Sequence, residues 1–177
     1  MLPLGTKAPD FELINPVSSK QIRLSDSKGE QGTVIMFICN HCPFVKYVNN
    51  ELVAIANEYL HKGIGFIAIN SNDIIKYPED APLEMIKIAK ENNYPFPYIF
   101  DESQEAAKAY DAACTPDFYL FDDQLKLVYR GQLDSSRPGN DIPVTGTDLR
   151  LAIDCVLKNT LQPVPQKPSM GCNIKWK

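Results

Sequence analysis

Thr33-Val34-Ile35-Met36-Phe37-Ile38-Cys39-Asn40-His41-Cys42-Pro43-Phe44-Val45 is the stretch on which the fold turns. Thr33 to Ile38 is an unbroken β-branched, apolar and aromatic run, the signature of a central strand covered on both faces. A C-x-x-C pair follows at once. Beyond it, Phe44, Val45, Val48, Leu52, Ile55, Ala56 and Tyr59 recur at helical spacing. Pro43 suits the first helical position, and Gly63 suits the C-terminal cap. Gly65 to Asn70 is a second buried strand. Strand, helix and strand in this order form a βαβ unit with parallel strands.

Working outward, residues 1–32 are rich in turn formers: Pro3, Gly5, Pro9, Pro16, Gly29 and Gly32. Phe11, Leu13, Ile22 and Leu24 alternate with polar residues, which predicts an N-terminal β-hairpin extension. Residues 71–82 read as a loop, Leu83 to Asn92 as a helix and Tyr98 to Phe100 as a strand. Ser103 to Tyr110 reads as a helix capped by Ser103. Phe118 to Phe121 and Leu125 to Arg130 flank Asp122-Asp123-Gln124, a hairpin pattern. Thr147 to Asn159 is the last helix. The expected class is α/β, a central mixed β-sheet flanked by helices. One domain is expected over residues 1–159, with a Pro-rich C-terminal tail, 160–177, packing on the same domain. Internal repeats and low-complexity segments are absent from the sequence.

Composition narrows the function. The chain has 177 residues, a length for one compact domain. With 44% hydrophobic and 23% charged residues it is a globular sequence, not a disordered one. Its net charge is 18 − 22 = −4, which disfavours nucleic-acid binding. The longest apolar run, Val34 to Cys39, is too short to span a bilayer. Met-Leu-Pro-Leu-Gly has neither a basic n-region nor an apolar h-region, so a cytoplasmic location is expected, with no membrane partner.

The five cysteines are Cys39, Cys42, Cys114, Cys155 and Cys172. An odd, sparse set argues against a disulfide-stapled scaffold. A lone C-x-x-C is either half a zinc site or a redox dithiol. A structural zinc site needs four ligands, and the sequence has no second pair. His61, the only other histidine, falls near a helix end with Lys62, where the dipole accounts for both. The dithiol is the favoured reading, and it requires no bound cofactor or metal. A cysteine between a buried strand and a helix N-terminus is activated physically. Unpaired amides and the helix dipole stabilise the thiolate. A second cysteine three residues away can then attack a mixed disulfide. His41 could lend a hydrogen bond or positive charge to the thiolate and make the pair more oxidising. Thr115-Pro116, at the entry to a strand, is a candidate cis peptide.

Three segments together resemble the thioredoxin-like superfamily, in its redoxin branch of alkyl hydroperoxide reductases and thiol-specific antioxidants. Gly5-Thr6-Lys7-Ala8-Pro9-Asp10-Phe11-Glu12-Leu13 resembles the family's opening Gly-x-x-Ala-Pro-x-Phe-x-Leu. The strand, Cys-Asn-His-Cys-Pro and helix resemble its active site. Thr115-Pro116-Asp117-Phe118-Tyr119-Leu120-Phe121-Asp122 resembles its cis-proline strand. The resemblance implies a thioredoxin fold, with Pro116 against the dithiol and helping to hold substrate. It implies a thiol–disulfide oxidoreductase that takes a protein disulfide or a small thiol or peroxide. Electrons would come from a thioredoxin- or glutathione-type reductant. The sequence departs from the family where a Trp usually precedes the first cysteine, since Ile38 stands there. Peroxiredoxins carry Thr three and Pro seven residues before the nucleophile. Counting back from Cys39 gives Met36 and Gly32, and from Cys42 gives Cys39 and Ile35. A thiol peroxidase is therefore an alternative, and a copper- or zinc-binding module on the same scaffold is another.

Which cysteine attacks stays open. Superposing the two C-x-x-C motifs makes it Cys39. A strand Phe five residues before the nucleophile, and Pro43 as the first helical residue, make it Cys42 instead, at the N-cap. Several further residues are candidates for accessory roles. Cys114 and Thr115 directly precede Pro116. Cys172 lies in a tail that can reach the active site or a partner. Arg137, in a polar loop, could anchor an anionic substrate or a thiolate. Cys155 is expected to be core packing, and the tail that ends in Ile174 and Trp176 to dock on the body, because an exposed Trp is costly.

Overall fold

The computed structural model describes residues 2–177. In chain order the elements are β1 (Glu12–Asn15), β2 (Lys20–Arg23), α1 (Leu24–Ser27), β3 (Gly32–Phe37), α2 (Pro43–Tyr59), β4 (Ile64–Asn70), α3 (Pro82–Glu91), β5 (Tyr98–Phe100), α4 (Glu105–Ala109), β6 (Cys114–Thr115), β7 (Asp117–Asp122), β8 (Leu127–Gly131), α5 (Thr147–Leu157) and β9 (Cys172–Asn173). Seven strands form one sheet in the order β2-β1-β5-β4-β3-β7-β8. β3 pairs in parallel with β4, and β4 with β5. β3 pairs antiparallel with β7, as do β7 with β8 and β1 with both β2 and β5. This is the mixed sheet of a thioredoxin fold. The N-terminal hairpin β1–β2 extends the sheet at one edge, where Ile14 pairs with Phe100.

The alternation of side chains along each strand builds two cores. Val34 and Met36 of β3, with Phe66 and Ala68 of β4, face α2, α3 and α5. Those helices answer with Leu52, Ile55, Met85, Leu149 and Ile153. Ile35, Phe37, Ile67 and Ile69 face the other way, onto Phe11, Tyr110, Tyr119 and Ile174. Each fully buried aliphatic or aromatic side chain contributes about 1.5–3 kcal/mol. The chain also crosses itself closely: a Cβ on Gly29 would lie 2.2 Å from the Gly65 amide nitrogen. Only glycine fits at such a backbone approach.

Several local expectations shift. Leu125 takes φ 60° while Asp122 Oδ1 accepts from the Gln124 and Lys126 amides, so β8 begins at Leu127. The turn before α4 is held mainly by buried Asp101, which accepts from the Ala106 and Ala107 amides, with Ser103 taking only the Glu105 amide. α5 ends at Leu157. Cys155 is half-buried and not core packing, because it lies at the rim of α5, where it lines a surface cleft with Asp122 and Val128. The tail end docks as expected, but through Ile174 at 4% exposure, while Trp176 stays 41% exposed.

The tail crosses the outer side of β8. Gln166 accepts from the Arg130 amide through Oε1 and donates to the Val128 carbonyl through Nε2. Ser169 Oγ donates to the Gly131 carbonyl, and the Gln132 amide donates to the Lys167 carbonyl. Beyond this crossing, Cys172–Asn173 pairs antiparallel with Cys114–Thr115. Among the described residues no helix is long and apolar enough to cross a membrane.

Candidate active site

β3 delivers Cys39 to the end of the sheet, and α2 starts immediately after Cys42. Cys42 is the N-cap: Pro43 is the first helical residue, and the Lys46 amide donates to the Cys42 carbonyl at 3.0 Å. Of the two registers left open by the sequence, this places Cys42 where the helix dipole is felt most. Its thiol is held well below the ordinary value, first by hydrogen bonding with Cys39, then with Cys172, with a smaller contribution from the Val45 amide, all against the desolvation that opposes them. Cys39 is pushed the other way, by the same partnership with Cys42, by burial and by the charge of Asp80. Within the pair the thiolate is thus favoured at Cys42, at the helix N-cap, over Cys39.

Thr115 touches both sulfurs. Its Oγ1 lies 3.3 Å from Cys39 Sγ, and its carbonyl oxygen accepts from the Cys42 thiol at 3.1 Å. The Thr115–Pro116 bond is cis, and Pro116 directly follows the residue that contacts both sulfurs. Cys114 is buried, its Sγ 3.6 Å from the Pro116 carbonyl, and burial pushes its thiol up to about 12. It is a packed, unreactive thiol in this arrangement.

His41 is organised by Asp80, a residue of the 71–82 segment expected as a loop. Asp80 ends a 3₁₀ turn, Pro78–Asp80, and is fully buried. Its Oδ1 accepts from the Asn40 and His41 amides, at 2.8 and 3.2 Å. Its Oδ2 accepts from Asn72 Nδ2 at 2.7 Å and from His41 Nδ1 at 2.6 Å. A carboxylate only accepts, so Nδ1 carries the proton. Nδ1 is therefore turned to Asp80, and its 3.9 Å separation from Cys39 Sγ is secondary. The ring also stacks on Tyr77, centroids 5.3 Å apart. Asn40 completes the framework, accepting from the Tyr98 hydroxyl and donating to the Glu79 carbonyl. The signal for Asp80 in the sequence is faint: Asn70 and Asn72, polar residues at and just after the end of a buried strand.

Arg137 lies apart from the sulfurs. It lines a small cleft with Pro116, Phe44 and Met170. Its guanidinium donates to the carbonyls of Asp134 and Ser136 and to Gln132 Oε1, and so fastens its own loop. Cys39 Sγ, His41 Nδ1 and Asp80 Oδ2 lie within 4.8 Å of one another, the set that could hold a soft cation. Asp80 Oδ2 already accepts two hydrogen bonds there.

Comparison with known proteins places this geometry in a class. The AhpC/TSA family matches residues 4–130, and the chain belongs to that family. A conserved protein from Geobacillus kaustophilus, described as uncharacterized, is 62% identical, with TM-score 0.98 over 100% of this chain and 94% of that one. A hypothetical protein from Sinorhizobium meliloti is 45% identical, with TM-score 0.97 over 100% and 96%. The thioredoxin domain of a thiol-disulfide oxidoreductase from Bacteroides vulgatus shares the fold at 18% identity, TM-score 0.64, over 85% and 98%. No curated protein matches the sequence.

Proposed function

We propose that the chain is a thiol–disulfide oxidoreductase whose redox pair is Cys39 and Cys42. The observation that carries this reading is Cys42 at the N-cap of α2, its charged form favoured by hydrogen bonding with Cys39. The Cys42 thiolate attacks one sulfur of a substrate disulfide, R–S–S–R′, and R′–S⁻ leaves. Cys39 then attacks the Cys42 sulfur and R–S⁻ departs with the Cys39 proton. Two electrons have passed to the substrate, and a Cys39–Cys42 disulfide remains. A thioredoxin- or glutathione-type thiol returns the electrons, in keeping with a cytoplasmic setting. His41 and Asp80 hold the 39–42 loop in place, and Thr115 with Pro116 forms the wall against which substrate sulfur is presented. The family also contains peroxidases. A peroxidase would build up sulfenic acid at one cysteine under dilute peroxide.

The test is a titration in glutathione buffers followed by peptide mapping. The expected result is a reversible disulfide involving Cys42, with a potential of about −120 to −270 mV. Absence of any disulfide at Cys42, with peroxide consumed or a Cu(I) or zinc ion bound in its place, would overturn the reading.

A further inference from the structure

Cys39 is 2% exposed and Cys42 is sealed at 0%. What closes the site is the chain's own C-terminus. Cys172 pairs opposite Thr115, and Asn173 opposite Cys114, as an antiparallel strand along the edge that ends in Pro116. The fit is close: a Cβ on Gly171 would lie 2.0 Å from the Thr115 carbonyl oxygen and 3.1 Å from the Pro116 nitrogen. The strand is tied into the site's own network. Asn72, which donates to Asp80, accepts from the Lys175 amide through Oδ1 at 2.9 Å. The Lys175 carbonyl accepts from the Asp73 amide and from Gln104 Nε2. The Lys175 ammonium lies over the Tyr77 ring, whose other contact is the stacked His41. In this seat Cys172 lies opposite Thr115, the residue that touches the sulfurs of both Cys39 and Cys42, and packs half-buried against their cluster, so it is the cysteine there that solvent reaches.

We infer that residues 171–173 are a tethered substrate strand and that Cys172 is a third redox thiol, which relays the disulfide between the buried pair and an external thiol. The inference rests on the oxidoreductase reading above. In the oxidised protein Cys172 attacks the Cys42 sulfur. The Cys39–Cys42 bond breaks, a Cys42–Cys172 bond forms, and Cys39 takes the proton that Cys172 gives up. No net oxidation occurs in this step. An external thiolate RS⁻ then attacks the Cys172 sulfur and expels the Cys42 thiolate, the low-pKa and therefore better leaving group. A second RS⁻ attacks the resulting Cys172–S–S–R, releasing R–S–S–R and reduced Cys172. The strand mode of binding also defines what the edge accepts: an extended segment carrying a cysteine, with glycine just before it.

The test uses the full chain, oxidised with glutathione disulfide, quenched in acid, alkylated and mapped. The wild-type protein is expected to yield a Cys42–Cys172 linked peptide beside the Cys39–Cys42 one. Reduction by glutathione should be about tenfold slower in Cys172→Ser than in wild type, because the remaining disulfide is shielded. Adding Gly171→Ala to that variant should lift the strand and restore the rate. A map with Cys39–Cys42 alone, together with equal reduction rates for wild type and Cys172→Ser, would overturn the relay and leave the oxidoreductase reading standing. Finding no disulfide among the three cysteines would overturn both.

Discussion

Asp80 accepts the Nδ1 proton of His41 at 2.6 Å, across 39 residues of chain. The contact joins the loop between the two cysteines to the turn before α3. It makes the dithiol loop depend on a carboxylate that is itself wholly enclosed.

Replacing Asp80 should therefore cost stability before it touches chemistry. Asp80→Ala leaves the Asn40 and His41 amides, Asn72 and the imidazole without their acceptor. The expected loss is about 3–5 kcal/mol. Asp80→Asn keeps an oxygen for the two amides and should lose about half as much. Urea unfolding of the reduced proteins measures both, and equal losses would contradict the division of labour between the two oxygens.

The inequality between the cysteines predicts which variant traps substrate. In a Cys172→Ser background, where no tail thiol can resolve or compete for the adduct, Cys39→Ser should accumulate a mixed disulfide with glutathione at Cys42. Cys42→Ser in the same background should form little or none, since desolvation and the charge of Asp80 still hold the Cys39 thiol protonated and Cys39 has no helix N-cap position. Intact-mass measurement after acid quench reads the adduct directly, and an adduct confined to Cys42→Ser would reverse the roles.

The depressed Cys42 thiol has a pH signature of definite sign. An unfolded cysteine keeps its proton up to about pH 8.5, while folded Cys42 gives it up well below that. Deprotonation thus favours the folded state. The contribution is fully present above the unfolded value and is lost as pH falls through the folded one. Below about pH 8.5 Cys39 adds no slope, because it stays protonated in both states. Reduced wild-type protein should lose stability relative to Cys42→Ser as pH falls from 8.5, and thiolate absorbance at 240 nm should persist into the acid range only when Cys42 is present. A thiolate midpoint near 8.5 would contradict the assignment.

Gly29→Ala tests the crossing of the chain over β4. Its Cβ would meet the Gly65 nitrogen at 2.2 Å and the carbonyl oxygens of Gly32 and Gly63 at 2.3 and 2.4 Å. These are backbone atoms of central strands and their approaches, so relief requires strand movement. A destabilisation of about 3 kcal/mol is expected in urea unfolding, whereas Gly5→Ala, with nothing near its Cβ, should be limited to the cost of its positive φ.

Much of this architecture was readable in the sequence because its signals are local. The run from Val34 to Ile38 can only be a doubly covered strand, and Pro43 fixes where the next helix begins. The choice between Cys39 and Cys42 needed that helix start, which a motif comparison alone obscures. Asp80 escaped because its partners lie far away in sequence, and Pro78-Glu79-Asp80 reads as a solvated turn. β9 escaped for a different reason: two residues carry no periodicity, and their pairing is set by the path of the tail. The share of the docking between Ile174 and Trp176 was hidden in the same way, since the path of the tail beyond β9 buries the first and leaves the second 41% exposed.

Gln166 has a wider consequence. By accepting from one backbone amide of β8 and donating to a carbonyl two residues away, it imitates a neighbouring strand with a single side chain. An uncovered outer strand is a template for stacking against other molecules. The tail thereby guards the solubility of the protein at one end of its crossing while it governs sulfur chemistry at the other, so shortening it would be felt first as a tendency to self-associate.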